Sequence, residues 1–299
     1  FAKRFKDKWG KRPAWIDVHP SIETSLMDDS KLVVAHVFDE MRKLGCMAVP
    51  VTSLDAPLEN NTAVAAIVKA DQRGVGIRAR LEHIMKPGYS ASLATLIGTI
   101  GALAADTDLI IDLGAPNYEP YDDFADGLVA AIDMLGDLSS YRSLVVMGSA
   151  YPESVSLDKP GGELPRHDWE FFQVLIKKLG DARRRPTYSD YTIVNPRFTP
   201  RDMRKIKSGG RIVYTSGKNW VVRKGGAFRD NPGQMHDHSA FIVSSGIFRG
   251  AAFSEGDDYI AKCATRAVGP SNQPRWKQIA ISHHIMQVLE DLATPGAPA

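Results

Sequence analysis

Five short apolar runs in this chain end in polar or charged residues, and most are separated by stretches with helical periodicity. They are Trp15–His19, Gly76–Arg80, Leu109–Leu113, Val145–Ser149 and Tyr188–Tyr191. Strands that alternate with helices build a parallel sheet. Ligands of parallel sheets bind at the carboxyl ends of the strands. The rhythm therefore places a site without naming its chemistry.

The expected order is a strand at 14–19, a helix at 30–44, a strand at 47–52, a helix at 62–72 and a strand at 75–80. A helix from near Ser90, a strand at 108–113 and a helix at 122–136 follow, then a strand at 143–149, a helix at 168–179 capped by Asp168, and a strand at 187–194. Right-handed connections of this kind curl a sheet towards an α/β fold of the TIM-barrel-like (β/α) type. The chain opens with Phe1, Phe5 and Trp9 on one helical face and Gly10 in the capping position. It thus begins inside a helix, and N-terminal strands of the barrel are expected upstream.

After Pro196 the rhythm changes. Thr199–Asp202 reads as a helix start, and Arg211–Thr215 with Trp220–Arg223 reads as a hairpin around Ser216–Asn219. A helix from the polar stretch 231–238 to about 247, a short strand at Tyr259–Ala264 and a helix at 275–292 complete the expected elements. No linker or repeat interrupts the chain. The expectation is one barrel-like domain over 1–299, with βα repeats in 1–196 and a C-terminal elaboration in 197–299.

Charge and composition exclude more than they identify. The net charge is +2 over 299 residues, so no global attraction to nucleic acid or membrane is implied. Two cysteines, Cys46 and Cys263, form no disulfide framework, which fits a reducing, cytoplasmic setting. No apolar run approaches the roughly 20 residues of a membrane span.

The C-terminal motifs Arg249-Gly250, Phe253–Ile260, Cys263-Ala264, Trp276–Ile279 and His283–Ile285 resemble the closing block of the phage and bacterial "beta" protein family. The early Arg12–Asp17 is similar to it as well. The resemblance implies a barrel-like fold and a phage or mobile-element context, including anti-phage defence. It brings no catalytic residues with it.

Strand alternation selects candidate side chains. With Val75, Ile77 and Ala79 facing helices, Arg78 and Arg80 face inward, and the same phase turns Asp17, His19, Asp112 and Asp190 inward. One reading is a structural network in which arginines and aspartates neutralise each other. The other is a ligand site. Arg78 and Arg80 bind an anionic group bidentately, and Asp17, Asp112 and Asp190 act as bases or as ligands for a cation such as Mg²⁺, with His19 as acid/base.

Weaker candidates stand beside these. His236 and His238, and the adjacent His283 and His284, match no zinc spacing. Of the last pair, only one is expected to point inward. Glu255–Asp258 reads as a turn. The basic run from Arg183 to Lys224, interleaved with Tyr214, Trp220 and Phe228, offers an alternative: a nucleic-acid or protein-partner surface with stacking platforms. Its bland counterpart is a solvated face, and a structural barrel within an assembly is a third reading.

Overall fold

The computed structural model describes residues 1–197 and 208–294. In chain order the elements are α1 (Ala2–Trp9), β1 (Ala14–Ile16), α2 (Val33–Lys43), β2 (Ala48–Thr52), α3 (Leu58–Asp71), β3 (Val75–Arg80), α4 (Leu81–Ile84) and α5 (Tyr89–Ile100). Next come β4 (Thr107–Asp112), α6 (Tyr121–Asp133), β5 (Ser143–Gly148), β6 (Gly161–Pro165), α7 (His167–Leu179) and β7 (Thr187–Asp190). The last are β8 (Gly209–Ser216), β9 (Asn219–Ala227), α8 (Gln234–Ser244), α9 (Glu255–Ala264) and α10 (Gln273–Ala293).

Two compact units result. The first comprises Phe1–Leu113, Ala125–Met147 and Lys178–Ser189, and the second Gly114–Phe124, Gly148–Lys177 and Asp190–Ala299.

The first unit is built on a six-stranded parallel sheet in the order β1-β2-β3-β4-β5-β7, curled into half a barrel. All six expected strands form, and they pair in sequence order. Among the described residues β1 and β7 are the edges of this sheet. Every residue of β2 and β4 is buried, as strands covered on both faces require. Val75, Ile77 and Ala79 of β3 are fully buried, the helix-facing phase expected of them. Phe1, Phe5 and Trp9 do line one face of α1, with neighbouring ring centroids 6.1 and 6.5 Å apart, and Gly10 closes the helix at φ 71°.

The second unit carries a three-stranded antiparallel sheet in the order β6-β9-β8. The hairpin forms as expected, with Ser216 opposite Asn219. Strand β6 was not expected: Gly161-Gly162 and Pro165 mask its pattern. The expected strand at 259–264 is instead helix α9. Ser254 caps it, its Oγ accepting from the Asp257 N–H at 3.1 Å, so Glu255–Asp258 is a first helical turn rather than a loop turn. A cap followed three residues later by a carboxylate is a helix-start signal that outweighs the short apolar alternation behind it. Asn272 caps α10 in the same way, with Pro274 in its first turn. The helix start expected at 199–202 lies outside the described residues.

A candidate ligand site at the strand ends

Register places three layers on one face of the parallel sheet. Gly76, Arg78 and Arg80 of β3 stand beside Asp108, Ile110 and Asp112 of β4, which stand beside Ser143, Val145 and Met147 of β5. At the amino end, Asp108 accepts from Trp15 Nε1 at 2.6 Å, Arg142 Nε at 2.9 Å and Ser143 Oγ at 2.7 Å. Burial disfavours its charge. The bonds from Arg142, Ser143 and Trp15, with the Arg142 charge, outweigh this and hold the carboxyl below its usual range. In the middle layer Arg78 stands beside Ile110 and Val145, which join Val51 in an apolar cluster with Met147 packed against it. A Cβ on Gly76 would come within 3.0 Å of Val51, so the space in front of Gly76 is filled.

The carboxyl end is polar. Arg78 Nη1 lies 2.9 Å from Asp17 Oδ2 and 4.0 Å from Asp112 Oδ2. Asp17 follows β1, Arg78 lies in β3 and Asp112 ends β4, so the ends of three strands converge by topology rather than by nearness in sequence. Arg78 keeps 17% side-chain exposure and Asp112 9%, whereas Asp17 keeps 32% and Arg80 is exposed. Burial pushes the Asp17 carboxyl up from its ordinary value. Arg78 pulls it down, Asp112 pushes it up, and His19 and Arg80 pull it down in smaller measure. His19 itself is exposed, and its Nδ1 lies 2.7 Å from Ser21 Oγ, where it caps the 3-10 turn Pro20–Ile22.

Glu23 is a member of this group that sequence reasoning missed. Burial raises its carboxyl first, and the charges of Asp17, Arg78, Arg80 and His19 act on it in turn. No strand phase flags it, because it follows the 3-10 turn rather than lying on a strand.

Asp190 has a different setting, in the second unit. Its Oδ2 lies 2.9 Å from His284 Nε2, and His284 Nδ1 lies 2.8 Å from Thr215 Oγ1. His283 is held between Asp257 Oδ2 at 2.9 Å and the Thr215 carbonyl at 2.8 Å. Asp257 also accepts from Tyr214 Oη at 2.7 Å and Ser254 Oγ at 2.6 Å. The expectation that only one of His283 and His284 points inward is corrected: both are buried. Side chains about 100° apart on α10 both reach Thr215 of β8, His283 pairing as well with Asp257 of α9 and His284 with Asp190 of β7. His236 and His238 are buried too, and His236 Nδ1 lies 2.7 Å from the Cys263 carbonyl. The Asp190–His284–Thr215 series has the bond pattern of a nucleophile triad, but Thr215 is 1% exposed and meets no solvent.

The basic run is largely engaged internally. Arg183 is bidentate on Asp133 at 2.8 and 2.9 Å, and Arg184 donates to the carbonyls of Leu138, Tyr141 and Arg142. Lys218 pairs with Glu170 at 2.7 Å, and Arg223 lies 3.9 Å over the Phe241 ring. Tyr214, Trp220 and Phe228, read as stacking platforms, are buried core residues of the second unit, Tyr214 and Phe228 packed in one apolar cluster and Trp220 in another. Arg201, Arg204, Lys205 and Lys207 lie outside the described residues.

Two clefts of the first unit lie elsewhere. One, of about 590 Å³, is lined by Phe1, Lys3, Met27, His36 and Leu44, and the other, of about 450 Å³, by Ala65, Lys69, Gly74, Gly101 and Asp106. The first is also lined by Lys6, Asp7 and Glu40, but only the strand ends hold a part-buried guanidinium braced between two carboxylates, which makes them the better candidate. Among the described residues no group of three His, Cys, Asp or Glu is arranged to hold a metal ion, and no helix is long and apolar enough to cross a membrane.

Residues 1–290 match the family described as Beta protein, and the chain belongs to that family. No curated protein and no solved structure matches the chain.

Proposed function

We propose that this Beta protein family member binds a small anionic ligand, bearing phosphate or carboxylate, at the carboxyl ends of β1, β3 and β4. The observation that carries the reading is Arg78 braced between Asp17 at 2.9 Å and Asp112 at 4.0 Å, with the exposed Arg80 two residues on along the same strand face. The brace orients one guanidinium and leaves the other to meet an oxyanion, which planar guanidinium groups grip through two parallel hydrogen bonds. Asp17, raised by burial and partly open to solvent, equips the site to give or take a proton. His19 and Glu23 flank it. The Arg78 guanidinium already occupies the position between Asp17 and Asp112, which disfavours Mg²⁺ between them.

Three apolar and polar layers on one sheet face support the TIM-barrel-like reading of the parallel strands, as one barrel domain with a C-terminal elaboration. A phage or anti-phage defence role in the cytoplasm accompanies this reading through the family.

The test is calorimetric titration with inorganic phosphate and with citrate as probes. The wild type binds at least one of them. Arg80→Ser weakens binding by about tenfold or more, equivalent to about 1.4 kcal/mol, with the melting temperature unchanged. Binding that is indifferent to Arg80→Ser sinks the proposal.

A further inference from the structure

In the second unit, Arg166 is fully buried directly before α7. Its Nη1 donates to the Gly217 carbonyl at 2.7 Å and to Asp291 Oδ2 at 2.9 Å. Its Nε and Nη2 make no hydrogen bond, and neither do Asp168 Oδ2 and Trp220 Nε1. Nε and Nη2 form one edge of the guanidinium, spaced to meet two oxygens of a single carboxylate or phosphate. Trp220 stands opposite Leu164 in the β6–β9 register, and the Arg166 N–H donates to the Lys218 carbonyl, so Arg166 and Trp220 follow the same strand face. A buried charged donor left without an acceptor is costly, and folded proteins keep such groups where something pairs with them. Helix α7 has 13 residues, and its amino end adds the positive pole of its dipole.

We propose that the free edge of Arg166, the first turn of α7 and Trp220 Nε1 form a buried site for a small oxyanion, with Asp168 as its protonatable wall. Asp168 Oδ1 accepts from the Trp169 N–H at 3.0 Å, which fixes the carboxyl beside the helix end. Burial, and then the charge of Asp190, push Asp168 up to about 6, against the pull of Arg166 and the backbone bonds from Trp169 and Ala150. Tyr121 at the start of α6 is a further titratable group within range of the Asp168 charge. His284 stands behind Asp190, and Asp291 behind Arg166. An ionised Asp168 repels a seated anion, and a protonated one donates to it. Binding therefore takes up a proton. The site is independent of the strand-end site of the first unit.

The experiment follows melting temperature with formate, acetate and inorganic phosphate at about pH 5 and about pH 8, after long incubation because the site opens only by local unfolding. At least one anion stabilises the wild type at the lower pH, with affinity at least about tenfold weaker at the higher pH. Asp168→Asn binds equally at both. Arg166→Lys keeps the charge but lacks the edge, and loses binding while still melting cooperatively. The same variants are also compared in an Arg80→Ser background, where the strand-end site is weakened and the pH-dependent stabilisation is expected to remain, which separates this site from the other. No stabilisation by any of the three anions, or wild-type binding in Arg166→Lys, or an unchanged pH dependence in Asp168→Asn overturns the proposal. Should Arg166→Lys fail to fold, the Asp168→Asn comparison decides.

Discussion

Asp257 is buried to 0% exposure and accepts from Tyr214, Ser254 and His283. Removing it with Asp257→Ala leaves these donors unpaired inside the second unit, and a loss of about 3–5 kcal/mol in denaturant unfolding is expected. Burial alone raises the Asp257 carboxyl, but the bond and charge of His283, with the Ser254 and Tyr214 bonds, hold it below its ordinary value. A depressed folded value means that this stabilisation is complete above about pH 4, the unfolded value, and is lost as pH falls through the folded one. Unfolding free energy measured downward from about pH 5 shows the decline, and Asp257→Asn flattens it. Asp168 carries the opposite sign. Its folded value of about 6 exceeds its unfolded one, so the native state holds an extra proton and loses stability as pH rises between about 4 and 6. Without added anion, Asp168→Asn is expected to stabilise the protein at about pH 8 by up to about 3 kcal/mol and to change little at about pH 4. Equal effects at both pH values would contradict this. The sequence marked Asp168 as a cap and Asp257 as a turn residue. Asp257 also meets Tyr214 and His283, 43 and 26 positions away, and Asp168 also meets the Ala150 backbone and the charge of Asp190, partners that no local pattern displays.

At the scale of elements, period was a dependable guide where both sheet faces are covered. β2, the alternating β3 with Val75, Ile77 and Ala79 on its buried face, and β4 with its apolar centre Leu109–Ile111 formed within a residue or two of expectation. It failed for β6 and α9. Gly161 has φ 115°, and a Cβ there would stand 1.9 Å from the Val222 carbonyl oxygen. Gly161→Ala therefore separates β6 from β9, with an expected loss of at least about 2 kcal/mol and weakened exchange protection of the β6 amides. Helix α9 depends on its cap. Ser254→Ala removes the acceptor for the Asp257 N–H and the hydroxyl donor to its carboxylate, an expected loss of about 1–2 kcal/mol, whereas Ser254→Asp restores the cap but brings a second carboxylate beside Asp257 and recovers little. Chemical denaturation of the two variants side by side checks both statements.

For the whole molecule, 37 basic and 35 acidic residues leave little long-range field. Arg184 in turn spends its guanidinium on backbone carbonyls of the first unit. Arg184→Ser is expected to lower the melting temperature, and the triple Arg183, Arg184, Arg185→Ser variant to leave nucleic-acid retention at low salt as weak as in the wild type. A salt-dependent affinity abolished by the triple change would instead move the function to a nucleic-acid surface. By itself the sequence determined the α/β class, the order of six parallel strands and the phase that sets Asp17, Arg78 and Asp112 on one face, because alternation and apolar runs are local consequences of covering a sheet. Only the tertiary structure decided which charges meet. Arg78 joins Asp17 and Asp112, Asp190 joins His284, and His283 joins Asp257, since each pairing depends on register and helix packing between segments distant in the chain.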